Sequence, residues 1–97
     1  MIGIRRLIWD TWNVPHIARH DVLPEEVEQV CHGNPHIVRT YGGRFLITDP
    51  AETGRMLAVV LAPEPSEGEQ VYYPVTARSA DRKERRIYQE RQGGAKG

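Results

Sequence analysis

The sequence predicts a single α+β domain, with helices at both ends of a run of β-strands. Its 97 residues are 39% apolar and 27% charged, which suits one small globular domain. Helical spacing of apolar residues occurs near both termini, and β-branched segments bounded by turn residues lie between them. We therefore expect a small antiparallel sheet of about four to five strands, two N-terminal helices and a C-terminal helix.

The N-terminal third predicts one strand and two helices. Ile4 to Trp9 is rich in β-formers and predicts the first strand. Val14 to Arg19 has helical spacing and predicts a short helix. A second helix is expected to begin at Pro24, because proline suits a first helical turn, and to end at Gly33 as a C-terminal cap.

The middle of the chain predicts three strands. His36 to Tyr41 and Arg44 to Thr48 flank Gly42-Gly43, a pair typical of a tight hairpin turn. Met56 to Ala62 is continuously apolar, which favours a central strand buried on both faces.

The C-terminal third predicts a last strand and a charged helix. Pro74 lies within the expected strand Gln70 to Ala77 and cannot donate to a neighbouring strand, so this strand should be an edge or carry a bulge. The helix should run from about Ala80 to Gln92, with Asp81 and Glu84 as a capping box. The domain would then cover residues 1–92, and residues 93–97 would form a flexible tail.

Charge is divided unevenly along the chain. The net charge is zero, but residues 1–70 hold six arginines against ten acidic residues, and residues 71–97 hold seven cations against three acidic residues. The basic C-terminal part is either a solvated helix or a surface for phosphate. One cysteine excludes an internal disulfide, and neither a secretion signal nor a membrane-spanning run is recognisable, so we expect a cytoplasmic protein.

Arginines at strand ends are the best candidates for a functional site. Arg44, Arg55 and Arg78 are expected near strand termini, where a guanidinium could bind two phosphate oxygens, although each could instead pair with a carboxylate. His16 and His20 have the spacing of metal ligands on a helix but lack a clear third ligand. We therefore expect neither a metal ion nor another cofactor.

Several motifs together resemble one known family, the BrnT toxins of type II toxin–antitoxin pairs. The similarity covers residues 7–91 and is most specific at the strand-to-helix segment near the C-terminus. The motifs that carry it are Trp9-Asp10, Asn13, "RHDV" (19–22), "PEEVEQV" (24–30), "GRFLI" (43–47), "GRMLAVVL" (54–61) and "TARSADRKERRIY" (76–88).

This resemblance implies a RelE-like fold and a metal-independent endoribonuclease that inhibits translation. It implies a cognate ribbon-helix-helix antitoxin of the BrnA type as partner, and contact with operator DNA only through that antitoxin. RNA would be the substrate, cut by attack of a ribose 2′-oxygen on the adjacent phosphate. The alternative is a catalytically weak interaction module that binds an antitoxin-like partner without cleaving RNA.

The hypothesis assigns roles to seven residues. Arg78 would stabilise the charge on the phosphate, and His20 or Tyr88 would carry the proton. The last strand of the family typically has an arginine where this chain has Tyr73, whose ring could stack on a base. The predicted phosphate- or RNA-binding residues are Arg44, Arg55, Arg85 and Tyr73.

Overall fold

The structure, a computed structural model, describes residues 2–94, and within them it has five strands and three helices, which confirms the α+β class. The elements are β1 (Arg6–Leu7), α1 (Asn13–Ala18), α2 (Pro24–Cys31), β2 (His36–Arg39), β3 (Phe45–Pro50), β4 (Met56–Pro63), β5 (Val71–Ser79) and α3 (Arg82–Gly94).

The strands form one mixed sheet in the order β1-β5-β4-β3-β2. From β2 to β5, each strand pairs in antiparallel orientation with the next strand along the chain, as predicted. The expectation of a wholly antiparallel sheet is wrong for β1, which pairs parallel with β5 and places Arg6 opposite Val71. Strand β1 is also much shorter than the predicted strand from Ile4 to Trp9, because only the central part of that segment pairs with β5.

Strand β4 occupies the middle of the sheet, as its apolar run predicts. Strand β5 lies between β1 and β4, so the prediction that it is an edge is wrong and the alternative of a bulge is confirmed. Leu61 lies opposite Pro74 and Val60 opposite Thr76, so Val75 is the extra residue.

The two faces of the sheet carry different helices. Ile17 of α1 and Val27 of α2 belong to one buried cluster with Ile47 and Val59, so both helices cover the same face. Helix α3 covers one end of the opposite face, where Ile87 and Glu84 border a depression. We call that opposite surface the α3-side face; its residues are His36, Val38, Leu46, Thr48, Ala58, Val60, Thr76 and Arg78.

Two predicted glycine features differ in detail from the structure. Gly42-Gly43 belongs to a short 3₁₀ turn, Tyr41–Gly43, in which both glycines have a positive φ near 75°. Gly33 follows α2 without a positive φ, so it is not a left-handed cap. A Cβ at Gly33 would lie 2.7 Å from a carboxylate oxygen of Asp49, so close packing is what requires glycine there.

Helix α3 begins with the predicted capping box. The Asp81 carboxylate accepts from the Glu84 backbone N–H at 2.8 Å, and the Glu84 carboxylate accepts from the Asp81 N–H at 2.9 Å. The helix continues through Gly94, beyond the predicted end, and residues 95–97 of the predicted tail lie outside the described residues. None of the helices described is long and apolar enough to cross a membrane.

Candidate functional site

Arg78 lies on the α3-side face, close to the end of β5, and is held by Glu84. Its two terminal nitrogens donate to the two carboxylate oxygens of Glu84 at 2.8 and 2.9 Å. These hydrogen bonds favour both charged forms, so they raise the pKa of Arg78 and lower the pKa of Glu84. The Arg78 side chain keeps 41% of its surface exposed, so one side of the ion pair faces solvent.

Glu84 therefore combines two roles, of which sequence reasoning assigned mainly the cap. The same carboxylate caps α3 and orients the Arg78 guanidinium, because α3 starts three residues after β5 ends. The sequence did contain a signal for this ion pair: the capping residue Glu84 follows the strand-end residue Arg78 by only six positions. The arrangement gives a fixed cation with an ionised carboxylate beside it, which suits binding of an anion or transfer of a proton.

Arg44 lies further along the same face. Leu46, Val60 and Thr76 form one row across β3, β4 and β5. Arg44 lies two residues before Leu46, and Arg78 lies two residues after Thr76. The two arginines are therefore offset by four residues, or about 13 Å, along the strand direction. Because side chains alternate between faces, the structure brings both predicted phosphate ligands to one surface, with the half-buried row of Leu46, Val60 and Thr76 between them.

Arg55 instead holds the fold together on the other side of the sheet. Its guanidinium donates to the Ser79 hydroxyl at 3.0 Å, to the backbone oxygen of His20 at 2.9 Å and to the backbone oxygen of Asp21. Glu26 lies 3.9 Å from it. These contacts tie the turn between α1 and α2 to the start of β4 and the end of β5.

His20 is separated from Arg78 by the sheet. Ser79 follows Arg78 in the strand and points to the opposite face, and Arg55 joins Ser79 to the turn that contains His20. The His20 imidazole is exposed and meets the His16 ring edge-on at 6.1 Å. The structure therefore does not bring this predicted proton carrier to Arg78, and within residues 2–94 no group of three metal-ligating side chains occurs.

The hydroxyl of Tyr88 donates to Asp49 at 2.7 Å. Asp49 is 6% exposed and lies beside Gly33, at the end of β3. Burial, followed by the hydrogen bond and the charge of Asp49, raises the pKa of Tyr88 to about 12. The phenol is therefore protonated at neutral pH and committed to an internal acceptor. Asp49 was not predicted, because the contact joins residues far apart in the chain.

Two further predicted RNA-binding residues also contact the protein itself. Arg85 donates to the backbone oxygen of Ala80 at 2.7 Å. The Tyr73 hydroxyl lies 3.0 Å from both carboxylate oxygens of Asp10, and burial together with this contact raises the pKa of Tyr73. Tyr73 thereby fixes the segment that precedes α1, although its ring stays partly exposed.

His36, the first residue of β2, also lies on the α3-side face. Its Nδ1 atom is buried and has no hydrogen-bond partner among the described residues. Burial, with a smaller contribution from Arg91, lowers the pKa of His36, so the neutral imidazole is favoured. It borders the same depression as Glu84 and Thr48.

Comparison with protein-family models found no match, and comparison with curated proteins found no similar sequence. On its fold, the protein is classed as a small α+β domain with a mixed five-stranded sheet. One face of that sheet carries an arginine–glutamate ion pair and a second arginine.

Proposed function

We propose that this protein is a BrnT-like, RelE-like toxin that binds RNA on its α3-side face, cleaves it without a metal ion and thereby inhibits translation. A ribbon-helix-helix antitoxin would neutralise it in the cytoplasm, and operator DNA would be contacted only through that antitoxin. The observation that carries the proposal is the partly exposed Arg78–Glu84 pair on the face that also holds Arg44. The motif resemblance supports the same activity.

In this proposal Arg78 and Glu84 perform the chemistry. A phosphate of RNA would bind the Arg78 guanidinium and compete with Glu84 for its donors. The released Glu84 carboxylate would accept the proton of the 2′-hydroxyl as that oxygen attacks the phosphorus. Arg78 would stabilise the charge on the five-coordinate phosphorus. The bond from phosphorus to the 5′-oxygen would then break and leave a 2′,3′-cyclic phosphate, and the departing 5′-oxygen would take a proton from water. Glu84 replaces His20 as the proton acceptor here, because His20 lies on the other side of the sheet.

The test is incubation of pure protein with total RNA in EDTA. Wild type should cut the RNA, and Arg78→Ala should lower the rate by about 10²-fold or more, the cost of removing one stabiliser of developing charge. Arg86→Ala changes an exposed arginine of α3 and should leave the rate unchanged. Intact RNA after incubation with wild type would exclude the nuclease function.

The second candidate is the interaction module that binds an antitoxin without cutting RNA. It is favoured by the internal partners of Arg55, Arg78 and Tyr88, each of which is already bound within the domain. Exposed apolar side chains on and beside the α3-side face, Val38 and Tyr41, suit a protein contact. Expression without the antitoxin should arrest growth if the protein is a toxin, and should not do so if it is only a module.

A further inference from the structure

Three aromatic rings lie in a row along helix α1, and the proposed cleavage uses none of them: Trp12 precedes the helix, His16 belongs to it and His20 follows it. The Trp12 indole stacks on the His16 imidazole, with ring centroids 4.7 Å apart and planes inclined by 15°. The His20 ring meets His16 edge-on. Trp12 nevertheless remains 56% exposed, so His16 covers one side of the indole and leaves much of the rest open to solvent. A stacked pair with an open aromatic surface is a suitable platform for another flat ring.

One cation, Arg19, lies beside this stack together with apolar and polar side chains. A depression beside Trp12 and His16 is bordered also by Thr11, Pro15 and Arg19, with no carboxylate among these five residues. Arg19 is exposed and forms no ion pair with any other residue in the described part of the chain. A ligand that joins a flat ring to a negative charge would match both features.

The stack is also held in place by the fold. The Asp10 carboxylate accepts from the backbone N–H groups of Trp12 and Asn13, both at 2.9 Å, and from the Tyr73 hydroxyl. Ile17 of the same helix is fully buried and anchors it to the core. Binding therefore requires little ordering of the backbone, which favours affinity.

We propose that the Trp12–His16 stack binds an unpaired base of single-stranded nucleic acid, with Arg19 contacting the adjacent phosphate. This deepens the proposed function by naming a second RNA contact, on the opposite side of the sheet from Arg78, and it rests on that function for the identity of the strand as RNA. Stacking accepts any base, so the contact would supply affinity and not sequence preference.

Tryptophan fluorescence tests the proposal. The chain has two tryptophans, and Trp9 is half-buried with its indole N–H bonded to Glu28 at 2.8 Å. Trp9→Phe leaves Trp12 as the only tryptophan. A short single-stranded oligodeoxyadenylate, titrated in EDTA, should quench the emission of this variant. An abasic strand of the same length and charge should not, because it has no rings to stack.

The affinity measurements use the same oligonucleotide with a dye label and fluorescence anisotropy. Trp12→Ala should weaken binding by about tenfold or more, since loss of base stacking typically costs this much. Arg19→Gln should weaken binding and lower the dependence on salt by roughly one phosphate contact. Arg86→Ala is the matched control for a lost surface charge, and circular dichroism confirms that the Trp12 and Arg19 variants are folded.

Three outcomes would overturn the proposal: no quenching, equal quenching by the abasic strand, or unchanged affinity of Trp12→Ala. The probe lacks the 2′-hydroxyl nucleophile and cannot be cut by the proposed mechanism, so binding is measured apart from cleavage. Quenching without ribonuclease activity would contradict only the proposed function, and cleavage without quenching would contradict only this inference.

Discussion

At the scale of single residues, the arginines of this chain show why a charged side chain alone does not identify a site. Arg55 and Arg78 both stand at strand ends, and both were expected to bind phosphate. Arg55 is held mainly by two backbone oxygens and a hydroxyl, whereas Arg78 is held mainly by the Glu84 carboxylate and keeps 41% of its side chain exposed. The difference depends on which segments of the folded chain surround each guanidinium, and sequence spacing contains no such information.

Tyr88 provides a prediction at the same scale. Its pKa is raised to about 12 from the ordinary 10, so its contribution to stability is complete below pH 10 and is lost as the pH rises through 12. Wild type should therefore lose stability between these values more steeply than Tyr88→Phe. At neutral pH the variant should be less stable by about 1–2 kcal/mol, because buried Asp49 loses its donor.

Urea denaturation across the alkaline range measures this effect. The late part of the phenolate absorbance titration should lose the signal of one tyrosine in Tyr88→Phe, while Tyr73, whose pKa is also raised, should still titrate in both proteins. Tyr41→Phe is the matched control, since Tyr41 is 87% exposed. Equal alkaline slopes for wild type and Tyr88→Phe would mean that the Asp49 contact does not form in solution.

At the scale of elements, the helices and the strand order along the chain follow from local patterns. Capping residues, proline positions and apolar periodicity are local properties, and they predicted α2, β4 and the start of α3 closely. The pairing of β1 with β5 was not predictable in this way, since it joins segments more than sixty residues apart. The placement of α1 and α2 on the face opposite Arg78 was also not predicted, and it keeps His20 away from Arg78.

The junction of β5 and α3 yields the second prediction. Glu84→Gln keeps an oxygen to cap α3 but removes the charge that binds Arg78. We expect a loss of about 1 kcal/mol at neutral pH, a modest figure because the pair is partly exposed. The pKa of Glu84 is lowered in the fold, so its stabilisation is present above the ordinary value of 4.5 and is lost as the pH falls further.

Thermal unfolding of wild type and Glu84→Gln from pH 7 to pH 3 tests whether the Arg78–Glu84 pair stabilises the fold through its charge. The difference between them should shrink below pH 4.5, because the wild-type carboxyl becomes protonated. Glu90→Gln alters an exposed acid of the same helix and should show no such trend. A difference that is constant over the whole range would contradict a charge-dependent role for the pair.

At the scale of the whole molecule, a small domain depends strongly on the few polar groups inside it. A chain of this size buries only about 60–65% of its unfolded surface, and its net stability is a small difference between large terms. Asn13 is fully buried and connects three parts of the fold. Its amide nitrogen donates to the backbone oxygens of Ile8 and Pro74, and its oxygen accepts from the Asp10 N–H.

Asn13 therefore joins the end of β1, the bulge of β5 and the start of α1. The Pro74 oxygen lies where the short strand β1 has already ended, so the Asn13 side chain supplies a donor that a longer strand would have supplied. Removal of the amide would leave two carbonyl oxygens and one N–H without these partners. An asparagine in a pre-helical segment looks like an ordinary cap, which is why sequence reasoning did not identify its wider role.

Asn13→Ala should lower the free energy of unfolding by about 2–3 kcal/mol, and Asn13→Asp by more, because a buried carboxylate would face two carbonyl oxygens with no donor to offer. For a domain of this size each kcal/mol corresponds to a shift of about 4–8 °C in Tm, so calorimetry resolves the difference. Asn34→Ala, in an exposed loop, is the control and should change Tm little. If Asn13→Ala were no worse than Asn34→Ala, the sheet edge and α1 would be held together by apolar packing alone, and the amide would be dispensable.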